Sequence, residues 1–147
     1  MKIENFKSNK FPKKYIPALN KLSFANGFMK ASVIPRLNKK EFVFDVYCCF
    51  DDNGNIIAWA YNGVNVFNCN SGFYVKNKYR RQGIGTALVN EMKKQNNDIT
   101  TGPHDAKSLA FFKKTLPDTP TYHSHAVKSK NLKYSRKHGY FYEKKSQ

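Results

Sequence analysis

Apolar and polar residues alternate most regularly over residues 41–50. Phe42, Phe44, Val46, Cys48 and Phe50 fall on one face there, and Asp45, Tyr47 and Cys49 on the other. A period of two is that of a β-strand. Asp51-Asp52-Asn53-Gly54-Asn55 follows, and Asn-Gly supplies the positive φ values of a tight hairpin turn. This acidic turn is too short for a calcium loop and lacks its closing Glu. Residues 56–61 (IIAWAY) form the returning strand. Residues 64–75 predict another, interrupted by asparagines and ending in the β-favouring run Phe73-Tyr74-Val75.

The period then changes. After a basic loop over 76–79 and the run Arg80-Arg81-Gln82-Gly83-Ile84-Gly85, Leu88 and Met92 share one helical face. Asn96-Asn97-Asp98 ends that helix. Ile99-Thr100-Thr101 reads as a short strand closed by Gly102-Pro103, and Asp105 caps a second helix over 105–115. Earlier, Pro12 and Pro17 bracket the entry to a helix carrying Ala18, Leu19, Leu22 and Ala25, with Gly27 as its stop. Residues 35–40 are a basic loop. Residues 1–12 show no periodicity and are expected to lack regular structure. Beyond 116, residues 121–127 predict a strand and 133–144 a final strand or hairpin.

A strand, a basic glycine-containing loop and a helix in succession suit an anion. The first turn of a helix has N–H groups without internal partners, and the dipole adds roughly half a positive charge there. Glycines at 83 and 85 leave the backbone open to a ligand. The spacing is not the dinucleotide fingerprint, because Leu88 stands where the third glycine belongs. It is not a Walker loop either, since no Gly-Lys-Ser/Thr follows at the required distance.

Arg80-x-x-Gly83-x-Gly85, after a strand ending in Val75, resembles the acetyl-CoA loop of the GNAT superfamily of N-acetyltransferases. In the second helix, Asp105, Ser108, Phe111 and Phe112 match more loosely the order and distances of a second family motif. The resemblance spans about residues 41–114. It implies an α/β (α+β) fold with a mixed, mostly antiparallel central sheet flanked by helices, and a V-shaped splay between two parallel strands. It implies acetyl-CoA as co-substrate, held by Tyr74, Val75, Arg80, Arg81, Gln82, Gly83, Ile84, Gly85 and Thr86. A backbone N–H near Tyr74 or Val75 would then polarise the thioester carbonyl.

The proton chemistry departs from the family pattern. Some relatives place a Glu on the strand before the loop, yet no acid lies between Asp52 and Val75. Others use a Tyr at the end of the later helix, where this chain has Phe112. His104, titratable near neutrality, and Ser108 are the candidate catalytic residues; Asp105, Asp45 and Tyr47 are alternatives. His123 and His125 lack a third ligand at useful spacing, so no metal is assigned.

Composition adds two limits. At 147 residues the chain is expected to be one domain, and no run of about 18 apolar residues spans a membrane. Three cysteines, two of them adjacent, make a poor disulfide framework and point to packed thiols in a reducing cytoplasm. The formal charge of +16 is unevenly placed: Glu4 is the sole acid before Glu41, while 41–75 contains no Lys or Arg. That asymmetry suits an acidic partner, whether nucleic acid or the cofactor's phosphates, although a lysine-rich composition alone would produce it. The acceptor amine, on a protein, a small molecule or an aminoacyl-tRNA, is not legible. A non-catalytic CoA-binding or nucleic-acid-binding module with the same fold is the competing reading.

Overall fold

The computed structural model describes residues 1–24, 27–66, 69–95, 99, 106–115, 132–135 and 139–142. Its central element is one antiparallel sheet of β1 (Lys2–Lys7), β2 (Asp45–Phe50), β3 (Ile56–Val66) and β4 (Cys69–Val75), in that order across the sheet. The 51–55 turn joins β2 to β3 as predicted. Asp51 accepts the Asn53 and Asn55 backbone N–H groups at 2.9 and 2.8 Å, and Gly54 has φ +80°. These bonds, with the Asn55 amide foremost, hold the Asp51 carboxyl below its ordinary range.

Residues 1–12 correct the expectation of irregular chain. Lys2–Lys7 pairs antiparallel with β2, Lys2 opposite Phe50 and Lys7 opposite Asp45. Its two apolar side chains explain why no period was visible. Ile3 packs on one face of the sheet and Phe6 on the other, so neither face carries an alternating stripe. The second strand begins at Asp45 rather than at 41. Phe42 and Val43 are exposed, and the backbone at Phe44 turns to Ser8, donating to its Oγ at 2.9 Å and accepting from its N–H at 2.8 Å.

The sheet is covered on both faces, which makes two cores. On one face α1 (Ile16–Lys21) and the segment through Ile34–Arg36 bring Leu19, Leu22, Val33 and Ile34 onto Val46, Cys48, Trp59 and Tyr61. On the other, α2 (Ile84–Gln95) and α3 (Ala106–Thr115) cover Tyr47, Cys49, Ala58 and Ala60 with Ile84, Leu88, Val89, Met92 and Phe112. Leu88 and Met92 do share the buried face. Cys48 and Cys49 are buried free thiols on opposite faces, and burial pushes Cys48 up to about 12.

β5 (Leu132–Ser135) and β6 (Gly139–Tyr142) pair as a hairpin, the arrangement foreseen for 133–144. The strand expected over 99–101 would supply the parallel partner of β4. Of it only Ile99, buried in the second core, is described. The strand expected over 121–127 lies outside the described residues. Among the described residues no helix is long and apolar enough to cross a membrane.

Trp59 ties the N-terminal helix to the sheet. It is fully buried, and its Nε1–H donates to the Leu22 carbonyl, just beyond the end of α1, at 2.7 Å. Trp59→Phe is therefore expected to lower unfolding stability in urea by about 2 kcal/mol, from a partial cavity and an orphaned carbonyl. A loss below about 0.5 kcal/mol, the level of an ordinary surface substitution, would contradict that role.

Candidate active site

β4 is the last described strand of the sheet, and its inner edge is paired with β3. Ala58 lies opposite Val75 and Trp59 opposite Tyr74, and the Lys76 N–H donates to the Ile57 carbonyl at 2.9 Å. In an antiparallel ladder the backbone groups of alternate residues point to the same side. Lys76, Tyr74 and Gly72 therefore bond inward to β3, and Val75, Phe73 and Ser71 turn their N–H and C=O groups outward. Arg80 corroborates this parity, since its Nε donates to the Val75 carbonyl at 2.8 Å from the outer side. Of the two predicted amides, Val75 faces away from β3 while Tyr74 faces it. Phe73 is an outward position that sequence reasoning missed, because ladder parity leaves no trace in residue type.

Past β4 the chain makes one 3-10 turn, Asn77–Tyr79, and then bends sharply. Arg81 has φ +64° and Gly83 φ +82°. For an L-residue such as Arg81 the left-handed region costs about 1–2 kcal/mol, strain that collects at functional turns. The Gly83 carbonyl accepts the first helical bond, from Ala87 N–H at 2.9 Å. Ile84, Gly85 and Thr86 thus carry the first-turn amides that a helix cannot satisfy itself. Arg81, Gln82, Gly83 and Thr86 are exposed, and no atom lies within 4 Å of where a Gly83 Cβ would stand.

The two glycines have different reasons to be there. Gly83 needs its positive φ and faces open space. A Cβ on Gly85 would instead stand 3.0 Å from Cζ of Phe111, so Gly85 serves the packing of α2 on α3. Gly83 therefore leaves space beside the backbone, whereas the space at Gly85 is taken by Phe111. Phe111 and Phe112 form one cluster with Phe73, at centroid distances of 6.4 and 5.6 Å. This clasp seats α3 against the edge strand and the first turn of α2 together.

Arg80 faces inward along the edge. Besides its bond to Val75, its guanidinium lies 5.4 Å from the Tyr74 ring centroid, and Phe24 packs on the same ring at 5.0 Å. Lys76, Lys78, Arg80 and Arg81 are all exposed or nearly so, without an acidic residue between 76 and 86. The outer edge of β4, a helix start and a cationic loop fit a long ligand carrying phosphates at one end. These residues fit a CoA thioester: the loop for its phosphates, the outward backbone of Phe73 and Val75 for its amide-bearing arm.

The proton-transfer candidates fare unevenly. His104 and Asp105 lie outside the described residues. Ser108 sits in α3, one turn before Phe111 and Phe112, with its side chain outside the described part. Asp45 is bound by Lys7 Nζ at 2.7 Å. Tyr47 is fully buried under α2, its hydroxyl has no hydrogen-bond partner among the described residues, and desolvation pushes it up to about 12. Both alternatives are thus engaged or sealed. A polar row the sequence did not reveal crosses the sheet at one register, Lys7, Asp45, Asn62 and Ser71, each directly opposite the next. Ser71 Oγ donates to Asn62 Oδ1 at 2.5 Å, and both residues are buried. A cavity of about 260 Å³ lined by Arg36, Glu41, Phe42, Gly63 and Val64 contains none of the predicted site residues.

A sheet whose last described strand runs into a strained basic turn and a helix start is an arrangement suited to an anionic ligand. A family model, described as an acetyltransferase (GNAT) domain, matches residues 44–145. The chain belongs to the GNAT acetyltransferase family, and that membership supports acetyl transfer as its class of chemistry. No curated protein matches the chain, and no solved structure does.

The contact between Gly85 and Phe111 is directly testable. Gly85→Ala is expected to destabilise the fold and to lose most of that penalty in a Phe111→Leu background. The coupling should be about 1 kcal/mol in a thermal-unfolding double-mutant cycle. Strictly additive effects would mean that Phe111 does not occupy the space that Gly85 leaves.

Proposed function

We propose that the chain is an N-acetyltransferase that moves the acetyl group of acetyl-CoA to a primary amine. The observation that carries this reading is the helix start at Ile84–Thr86, preceded by positive φ at Arg81 and Gly83 and following directly on the edge strand. In it, the pyrophosphate is bound by the amides from Arg81 to Thr86, with Arg81 and Gln82 beside them. The arm of the donor adds to β4 as an extra strand would, using Phe73 and Val75. Arg80 holds the end of β4 in shape through the Val75 carbonyl and the Tyr74 ring, and its remaining N–H groups stay available to phosphate. When bound, the thioester supplies the activated acetyl group.

The outward amides then serve as hydrogen-bond donors where negative charge develops on the carbonyl oxygen. The amine must arrive neutral, and for a lysine-like amine that costs roughly 4–5 kcal/mol at pH 7. His104 is proposed as the base and Ser108 as an accessory hydroxyl. The exposed lysines of the first 40 residues suit an acceptor borne on a polyanion, such as an aminoacyl-tRNA, as well as an acidic protein. The absent strand Glu and helix Tyr favour the alternative of a CoA-binding module without turnover.

Acetyl-CoA is expected to raise the melting temperature of the wild-type protein, with no shift for Gly83→Glu, which places bulk and negative charge in the cradle and strains φ +82°. An unshifted wild type at millimolar acetyl-CoA would overturn the acetyltransferase reading. Binding without thioester turnover across a panel of amines would favour the binding module.

A further inference from the structure

The cavity of about 260 Å³ takes no part in the site above. It is lined by two charged residues, Arg36 and Glu41, and by the apolar Phe42, Val43 and Val64. Asp45 pairs with Asn62 and Asn62 with Ser71, so Phe44 and Gly63 lie one step beyond the start of β2, level with the first residues of β4. The glycine loop leaves β4 from its other end, after Val75. The walls of the cavity are held by one short stretch of chain. Ser8 exchanges backbone and side-chain bonds with Phe44 at 2.8 and 2.9 Å. Asn38, two residues past Arg36, donates its N–H to the Ser8 carbonyl at 2.7 Å, and its side chain makes two bonds of 2.9 Å to the Phe11 backbone. Gly63, at φ +105°, lets β3 lie close to Phe44.

Two opposite charges line this cavity without meeting. Among the described residues neither Arg36 nor Glu41 takes part in an ion pair. The Arg36 guanidinium lies 5.0 Å from the Phe42 ring centroid, and its Nη1 is buried with no hydrogen-bond acceptor among the described residues. A guanidinium that has lost water from one nitrogen and gained no counter-charge has already met part of the cost of binding an anion on its accessible edge. Its planar fork matches a carboxylate better than any other common anion except phosphate. Glu41 is exposed and lines the same cavity, so it opposes a plain anion and favours one that also carries an ammonium group. Phe42 and Val43 keep apolar surface exposed beside the two charges.

We propose that this cavity binds a small free α-amino acid with an apolar side chain. Its carboxylate pairs with Arg36, its ammonium with Glu41, and its side chain packs on Phe42 and Val43. The volume lies below the roughly 300–1,000 Å³ of sites for drug-sized ligands, which suits so small an occupant. An α-amino acid carries both charges on one carbon with the apolar group beside them, the same three features that the lining offers. The site stands at the opposite end of β4 from the glycine loop, and the inference does not rest on the acetyltransferase reading.

The full chain is titrated calorimetrically with phenylalanine as the probe, beside phenylpropionate, which lacks the ammonium, and phenethylamine, which lacks the carboxylate. Phenylalanine is expected to bind most tightly, phenylpropionate about threefold more weakly and phenethylamine about tenfold or more, because the charge-assisted fork to Arg36 is the stronger contact. Arg36→Gln should weaken phenylalanine and phenylpropionate alike by about tenfold. Glu41→Gln should remove the preference for phenylalanine and leave phenylpropionate bound at least as well. Glu41 is exposed, so this second variant keeps its fold and decides the matter where Arg36→Gln does not fold. No binding of phenylalanine to the wild type at about ten millimolar would overturn the proposal. So would any other order of the three probes, a preference that survives Glu41→Gln, or unchanged phenylalanine binding in a folded Arg36→Gln.

Discussion

The candidate site is governed by the pairing of β4 with β3. A single backbone bond, Lys76 N–H to the Ile57 carbonyl, sets the parity of the whole strand. It commits Tyr74 and Gly72 inward and leaves Phe73 and Val75 as outward donors and acceptors. Had the register slipped by one residue, every side chain of β4 would also have changed face. Phe73 would leave the cluster with Phe111 and Phe112, and Tyr74 would leave Arg80 and Phe24. The same register therefore fixes backbone availability on the edge and the seating of both flanking layers.

From that strand the turn delivers the helix start. Arg81 and Gly83 both adopt positive φ, and the bend brings Ile84–Thr86 to the surface with amides the helix cannot use. The turn would be free to wander were it not held from both sides. Arg80 binds back to Val75, while Gly85 lets the Phe111 ring close over the first turn of α2. A turn held this way is organised in itself, so a ligand bound there would spend little of its binding free energy on ordering it.

Much of this was legible in residue order. The β2–β3 hairpin announced itself through strict alternation and an Asn-Gly turn, and α2 through Leu88 and Met92 at helical spacing. The glycine loop carries the family resemblance in its residue types and spacing alone. What escaped depends on three-dimensional pairing. β1 was invisible because Ile3 and Phe6 serve opposite faces, so the edge strand carries no stripe. Gly83 and Gly85 look alike in the sequence, and only the position of Phe111 tells them apart. The choice between Tyr74 and Val75 as outward amide depends on ladder parity, which no side chain encodes.

The central claim, that the outward edge of β4 and the start of α2 together receive an acyl-CoA, is tested most directly by residue-resolved amide hydrogen exchange with and without acetyl-CoA. The account predicts slowed exchange at Phe73 and Val75 and across Ile84–Thr86, with Tyr74 and Gly72 unchanged because β3 already holds them. Protection at Tyr74 without Val75, or a helix start indifferent to the ligand, would contradict it.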